Sequence, residues 1–243
     1  MSALLEIEGL GKRFGGFVAL NGVDISVNAG ERVGLIGPNG SGKSTLVNCI
    51  CGTLRNDSGA VRFGGENFNG LHAHERTYRG LSRSFQLPRP FATMSVADNI
   101  RVPLLYTQQR RQGRRLTTEE ADERCMNLAR SVGLLKLCDK SPSSLTQVEM
   151  RKLELARAMA ADPKLLIADE SMAGLSDSEV DDIVELLLAL NAQGVTIIMI
   201  EHIMKAVLKF SQRLVVFVSG QKIADGVPQE VLRLPDVERA YLG

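Results

Sequence analysis

The stretch Gly37-Pro38-Asn39-Gly40-Ser41-Gly42-Lys43-Ser44-Thr45 decides the fold of this chain. It directly follows the apolar run Val33 to Ile36 and directly precedes the helix-like run Leu46 to Ile50. A strand, a glycine-rich loop and a helix in this order are the setting in which G-x-x-x-x-G-K-[ST] binds phosphate, because the loop N–H groups and the positive helix terminus stabilise its charge. We therefore predict a nucleoside triphosphate site, with Lys43 on the β- and γ-phosphates and the Ser44 hydroxyl on Mg²⁺.

Apolar patterning outside this loop predicts the sheets. Three further runs are continuously apolar, as expected of strands buried on both faces of a mainly parallel sheet: Leu165 to Ala168, Val195 to Ile200 and Leu214 to Val218. Near the N-terminus, Leu5 and Ile7 alternate with Glu6 and Glu8, which is typical of an antiparallel strand with one wet face. The sequence thus predicts an α/β fold, a P-loop NTPase core with a mainly parallel sheet plus antiparallel N-terminal strands.

A helical subdomain is predicted over about residues 88–162, where comparable strand runs are missing, so that the core of this single 243-residue domain comprises 1–87 and 163–243. Its best helix starts at Thr117, where Thr-x-x-Glu forms a capping box, and stops before Gly133. A second helix is predicted from about Val148 to Ala161.

Composition restricts the class of protein. The chain is 44% hydrophobic and 23% charged, a balance typical of a globular domain. Lys plus Arg (29) nearly equals Asp plus Glu (28), so no global basic field favours a nucleic-acid partner. The longest apolar runs are much shorter than the ~20 residues of a membrane-spanning helix. Because Glu6 and Glu8 lie where a signal peptide would be apolar, we expect a chain that is neither inserted nor exported.

Two carboxylates end the predicted strand Leu165 to Ala168. Asp169 would reach the sheet edge beside the phosphate loop, where a carboxylate holds Mg²⁺ through water. Glu170 lies one residue further out, where it can orient the water that attacks the γ-phosphate or accept its proton.

Four more features occur in a fixed chain order: Phe14, Gln86 in Ser84-Phe85-Gln86, Ala173-Gly174-Leu175-Ser176, and His202 after an apolar strand. With the phosphate loop and the carboxylate pair, they make essentially the whole chain resemble the ATP-binding subunits of ABC transporters. The resemblance implies that Phe14 stacks on adenine, although a core phenylalanine is an alternative. It implies that Gln86 touches Mg²⁺ and the attacking water, that Ala173 to Ser176 form the D-loop, and that His202 contacts the γ-phosphate.

Within that family the sequence is most similar to the ATP-binding subunits of branched-chain amino acid importers. The similar stretches are Arg13 to Gly16, Ser84 to Gln86, Glu201-His202 and the ending Pro235 to Gly243. The resemblance implies an ATPase that uses ATP and Mg²⁺ at the cytoplasmic face of the inner (plasma) membrane, as a peripheral subunit. Its partners would be a second ATP-binding subunit, two transmembrane permease subunits and an external solute-binding protein. The cargo stays open, since importers of urea, short amides and small carboxylates look the same.

One segment departs from the family pattern. The signature, usually Leu-Ser-Gly-Gly-Gln, aligns with Leu145-Thr146-Gln147-Val148-Glu149, and both glycines are missing. The resemblance implies that the signature lies at a helix N-terminus and binds the γ-phosphate held by the opposite subunit. Thr146 still offers a hydroxyl, but Val148 does not readily adopt a positive φ and places a Cβ where backbone would approach phosphate. We therefore expect a heterodimer, with an intact signature on the partner, rather than a homodimer.

Three other classes of protein compete with this interpretation. A soluble ABC ATPase acting on ribosomes or DNA usually has two such domains or a long coiled-coil insertion, and an exporter ATPase would share most motifs. A P-loop kinase or GTPase would not need the glutamine, D-loop and switch histidine in this order.

An arginine-rich segment, 101–118, has five arginines and no acidic residue. It is interpreted as a solvated loop. The alternative is a contact to anionic lipid headgroups or to a membrane partner.

Overall fold

Two β-sheets and nine helices make up the computed structural model, which describes residues 3–85 and 88–242. The strands are β1 (Leu5–Phe14), β2 (Phe17–Val27), β3 (Arg32–Ile36), β4 (Ser58–Phe63), β5 (Glu66–Asn67), β6 (Leu81–Ser84), β7 (Leu165–Asp169), β8 (Thr196–Ile200), β9 (Arg213–Val218) and β10 (Gln221–Gly226). The helices are α1 (Lys43–Cys51), α2 (Ala73–Tyr78), α3 (Val96–Gln112), α4 (Thr118–Ser131), α5 (Gln147–Met159), α6 (Asp177–Ala192), α7 (Met204–Phe210), α8 (Pro228–Val231) and α9 (Pro235–Leu242). Short 3₁₀ turns occur at Leu135–Leu137 and Pro142–Ser144.

The larger sheet has six strands in the order β10-β9-β3-β8-β7-β6. All its pairs are parallel except β10 with β9, so the predicted mainly parallel sheet is confirmed. β8 lies between β3 and β7, and Ile200 at its end is in register with both Leu35 and Asp169. Because parallel strands end at the same sheet edge, the segments that follow β3, β7 and β8 meet there.

The smaller sheet is antiparallel, in the order β2-β1-β4-β5. Leu5 and Ile7 are buried while Glu8 is exposed, which confirms the predicted wet face. Helix α1 packs between the two sheets, and its Leu46, Val47 and Ile50 share one apolar core with both. The helix that begins in the phosphate loop is therefore held on two sides.

Helices α3, α4 and α5 pack on one another, and α5 contacts β6, the edge strand of the large sheet. The predicted capping box is present: the Thr117 hydroxyl accepts from the Glu120 N–H (3.2 Å), and the Glu120 carboxylate accepts from the Thr117 N–H (2.9 Å). α5 ends at Met159, before the predicted Ala161. The division into core and helical subdomain remains a prediction.

The solvated-loop interpretation of residues 101–118 is wrong, because most of this segment belongs to α3 and the start of α4. Arg101 pairs with Asp98 and Asp122, and Arg111 donates to the Tyr78 carbonyl (2.8 Å). Four of the five arginines are engaged within the chain: Arg101, Arg110 over a tyrosine ring, Arg111 and Arg114. These internal partners leave little support for a lipid contact. Across residues 3–85 and 88–242, no helix is both long and apolar enough to cross a membrane.

Candidate active site

The phosphate loop owes its shape to two glycines that lie against other backbone. A Cβ on Gly37 would lie 2.2 Å from the Phe217 carbonyl oxygen. A Cβ on Gly42 would lie 2.7 Å from the Ala19 carbonyl oxygen, and this residue has a φ of +103°, which side chains rarely adopt. The path of the loop from β3 into α1 therefore requires glycine at both positions.

Lys43, at the start of α1, folds its side chain back over the loop. Its ammonium donates to the Gly37 carbonyl (2.7 Å), the Pro38 carbonyl (3.0 Å) and the Ser41 hydroxyl (3.3 Å). Burial lowers the pKa of Lys43, while the nearby Glu170 and Asp169 carboxylates oppose that shift. A phosphate would therefore meet a desolvated cation whose donors are already directed into the loop.

A cleft of about 240 Å³ opens on the phosphate loop. Its lining residues are Phe14, Phe17, Ala19, Asn39, Gly40, Ser41, Gly42, Lys43, Ser44, Thr45 and Glu170. Phe14 is 49% exposed, which rules out the core-phenylalanine alternative. Its exposed ring and that of Phe17 lie beside the phosphate loop, as a base-stacking surface would. The adenine contact itself stays a prediction.

The carboxylate pair lies at the carboxyl end of β7. Asp169 ends the strand, and the Glu170 N–H donates to the carbonyl of Ile200 at the end of β8 (2.9 Å). Glu170 has a φ of +44°, a conformation that is costly for a residue with a side chain and that occurs mostly at functional sites. His202 follows β8 by two residues and is exposed. The topology thus brings Asp169, Glu170 and His202 to one sheet edge.

Oxygen donors suitable for Mg²⁺ share a second cleft, of about 550 Å³. The Ser44 hydroxyl and the Asp169 and Glu170 carboxylates belong to residues that line it. In the described part of the chain, no group of three or more His, Cys, Asp or Glu residues is placed to hold a metal alone. Mg²⁺ in phosphate chemistry is typically bound by one or two carboxylates, water and the substrate phosphates, so these residues fit it. Gln86, the third predicted metal contact, lies outside the described residues.

The signature segment forms the N-terminus of α5. Thr146 is the N-cap: its hydroxyl accepts from the Glu149 N–H (3.3 Å), and the Glu149 carboxylate accepts from the Thr146 N–H (2.8 Å). Val148 is inside the helix and is not among the positive-φ residues of the described chain. Val148 thus adopts ordinary helical backbone and not the positive φ that a β-branched residue disfavours. The negatively charged carboxylate of Glu149 lies at this helix N-terminus.

The D-loop contacts the signature within the same chain. The Ala173 carbonyl accepts from the side chains of Gln147 (3.2 Å) and Arg151 (3.2 Å), and Ser176 caps α6. Among the described residues that line the two clefts, none belongs to 145–149 or 173–176. The predicted residues thus form two groups, one around the phosphate loop and one around the signature.

Arg83, on β6, is a site residue that the sequence analysis missed. Its guanidinium forms an ion pair with Asp169 (2.5 Å) and donates to the Asn48 side chain of α1 (2.7 Å). No local pattern marks it, since Asp169 is 86 residues away in the chain.

Glu201 is a second residue whose place near the site was not predicted, although the pair Glu201-His202 belongs to the family resemblance. It is 2% exposed, and its carboxylate accepts from the Met172 N–H (2.9 Å). Burial raises the pKa of Glu201 to about 7, and the neighbouring Glu170 and Asp169 carboxylates add to the rise. The other carboxylate oxygen is buried without a hydrogen-bond partner among the described residues. An ionised Glu201 is therefore poorly solvated.

Replacing Glu201 with Gln should change the pH dependence of stability. Between about pH 4.5 and pH 7, a carboxyl whose pKa is raised in the folded state keeps a proton that the unfolded chain has lost. Its contribution to the free energy of unfolding therefore falls as the pH rises through this range. The free energy of unfolding of Glu201→Gln minus that of the wild type should therefore be about 3 kcal/mol larger above pH 7 than at pH 4.5. Urea unfolding at pH 4.5, 6 and 8 measures this. A mutant-to-wild-type difference that is constant with pH would contradict the burial argument.

Comparisons with known proteins identify a family and individual relatives that this chain resembles. Residues 20–173 match the ABC transporter family. The high-affinity branched-chain amino acid transport ATP-binding protein BraF of Pseudomonas aeruginosa is 37% identical over 253 residues, covering 99% of this chain and 98% of BraF. The corresponding protein LivG of Escherichia coli (strain K12) is 37% identical over 252 residues, with the same coverage.

A solved structure supports the fold over the full length. The ADP conformation of MJ1267, an ATP-binding cassette of an ABC transporter, matches with a TM-score of 0.88 and 34% identity, covering 100% of both chains. The predicted P-loop NTPase fold is thereby confirmed.

Proposed function

The chain belongs to the ABC transporter family, and from this premise we propose that it powers the import of branched-chain amino acids or of a related small polar solute. As an ATP-binding protein of this family it is an ATPase coupled to transport. One observation carries the assignment of the reacting site: the Lys43 loop and the Asp169-Glu170 pair meet at one sheet edge, and Glu170 lines both clefts there.

The phosphate loop binds the triphosphate, and Lys43 transfers its hydrogen bonds from the loop carbonyls to phosphate oxygens. Ser44 and Asp169 would hold Mg²⁺, Asp169 through water, and the metal would supply positive charge against the phosphates. Glu170 orients the attacking water and accepts its proton, and its unusual backbone conformation holds the carboxylate beyond the strand end. His202 lies at the same edge, where it can contact the γ-phosphate.

The second group of residues faces a partner subunit. In this proposal two ATP-binding subunits enclose two ATP molecules, each between one phosphate loop and the opposite signature. The signature and the D-loop contact each other through the Ala173 carbonyl, so both belong to one surface. We favour a heterodimer, because the helix start at Thr146 has no glycine and has the charge of Glu149 on it.

The other partners follow from the proposed transport role. Two transmembrane permease subunits would carry the cargo, which an external solute-binding protein delivers. The ATPase itself would sit peripherally on the cytoplasmic face of the membrane. BraF and LivG are named for branched-chain amino acid transport, which supports this cargo class.

Lys43→Ala should weaken nucleotide binding itself, in contrast to changes at Glu170. The lost ammonium is a charge-assisted donor to the β- and γ-phosphates, so we expect the Kd for ATP to rise ~10-fold or more. Titration with a fluorescent ATP analogue measures this. Lys222→Ala is the matched control, since that lysine pairs with Asp225 outside both clefts. Wild-type affinity in Lys43→Ala would contradict the assignment.

Transport assays test the proposed function. The chain is expressed with its permease subunits and solute-binding protein in cells that lack uptake of the solute tested. It should restore the uptake of labelled leucine, isoleucine or valine, or of urea or a short amide. Glu170→Gln should abolish that uptake. Export of the solute without import would contradict the proposed import function. So would a chain that fractionates with ribosomes or DNA instead of with membranes.

A further inference from the structure

Arg83 connects three elements of the proposed site. From the end of β6, its Nη2 and Nε atoms both approach Oδ2 of Asp169, at 2.5 and 3.2 Å. Its Nη1 donates to the side-chain oxygen of Asn48 on α1 at 2.7 Å. The guanidinium thus bridges the strand that ends in Asp169 and the helix that begins in the phosphate loop.

The geometry of this ion pair is one-sided. Both nitrogens reach the same carboxylate oxygen, so this contact leaves Oδ1 of Asp169 uninvolved. The side chains are 14% and 10% exposed, so water competes little with the pair. The planar fork of arginine and its anchor on Asn48 fix where the Asp169 carboxylate stands.

We propose that Arg83 is a positioning residue for the Mg²⁺ site. Its guanidinium holds the Oδ2 atom of Asp169, so that the Oδ1 atom is available to the metal and its water. Partners that orient a metal-binding carboxylate commonly contribute ~10- to 100-fold to metal affinity. Arg83 itself touches neither metal nor nucleotide in this role. The inference rests on the proposed Mg·ATP site and assigns to it a residue outside the family motifs named above.

A competing role for Arg83 makes the opposite prediction. If the guanidinium were a substitute cation that Mg²⁺ must displace, removing it would leave a buried, unpaired carboxylate and would strengthen metal binding. The effect of Mg²⁺ on ATP affinity therefore distinguishes the two roles without an activity assay.

The experiment measures the Kd of a fluorescent ATP analogue twice, in EDTA and in excess Mg²⁺. The ratio of the EDTA value to the Mg²⁺ value is the metal's contribution to binding. We expect the ratio to fall ~10-fold in Arg83→Met while the Kd in EDTA stays near that of the wild type. Arg83→Lys keeps the charge but lacks the fork, so its ratio should also fall, and it carries the test if Arg83→Met does not fold.

Arg213→Met is the matched control. Arg213 also donates from two nitrogens to one carboxylate, from Nε and Nη2 to the two oxygens of Asp225 at 2.6 and 2.8 Å. It begins β9, at the amino ends of the parallel strands and so away from the proposed site. Its ratio should equal that of the wild type. An unchanged ratio in both Arg83 variants, or a higher one, would overturn the positioning role. A wild-type ratio of one would instead reject the Mg²⁺ site of the proposed function.

Discussion

Glu170→Gln is expected to leave ATP binding intact and to reduce the turnover of the assembled transporter ~10²-fold or more. The amide keeps the size and the hydrogen-bonding reach of the side chain but cannot accept a proton from the attacking water. Glu170 lines the nucleotide cleft and the neighbouring Ser44 and Asp169 cleft, so its loss acts at the reacting end of the triphosphate. Because ATP stays uncleaved, the variant should accumulate as an ATP-bound dimer.

Phosphate release and size-exclusion chromatography with ATP measure the two effects. Glu185→Gln provides the matched control, because it makes the same isosteric change on the exposed side of α6, where Glu185 pairs with Lys209. Control and wild type should release phosphate equally fast. Full ATPase activity in Glu170→Gln would remove this residue from the water-attack step.

The isolated chain is expected to be a weak ATPase, because pairing with itself would offer each ATP a degenerate signature. The Thr146 N–H is already bonded to Glu149, and that carboxylate adds a negative charge where a phosphate would approach. Losing a preorganised donor in a phosphoryl-transfer site reduces the rate ~10²-fold. Gln147→Gly with Val148→Gly should therefore raise the rate of the homodimer markedly.

Two further variants separate the possible causes of the weak rate. Gln147→Ala with Val148→Ala removes the same side-chain bulk without glycine, and Glu149→Gln removes only the charge. We expect the glycine pair to raise the rate more than the alanine pair, and Glu149→Gln to add to either. A high rate from the unmodified chain alone, with no gain from the glycines, would show that Thr146 and the α5 helix start suffice and that the dimer need not be asymmetric.

Local signals made much of the fold predictable. The phosphate loop, its strand and its helix are contiguous, and β7, β8 and β9 each contain an uninterrupted apolar run because both of their faces are covered. The α4 cap was predictable for the same reason, since Thr117 and Glu120 are three residues apart. α3 was missed because it is rich in arginine and glutamine, contains Pro103, and has charges whose partners lie on other elements.

The site was predictable where a motif carries the role, and it was not where the role depends on long-range contacts. Arg83 and Asp169 lie 86 residues apart, and Met172 and Glu201 lie 29 apart, so no spacing rule connects either pair. The missing signature glycines were visible in the sequence, but their consequence was not. Only the helix start at Gln147 shows that the segment is an ordinary capped terminus with a carboxylate on it.

The most direct test places one inactivating change in one subunit at a time. In an assembled transporter, phosphate release is compared between Glu170→Gln in this chain only and the equivalent change in its ATP-binding partner only. The site built on Lys43, Glu170 and His202 is predicted to be the active one, so the first complex should lose ~10²-fold in rate and the second should keep most of it. Near-normal phosphate release from the first complex, with loss in the second, would contradict the account.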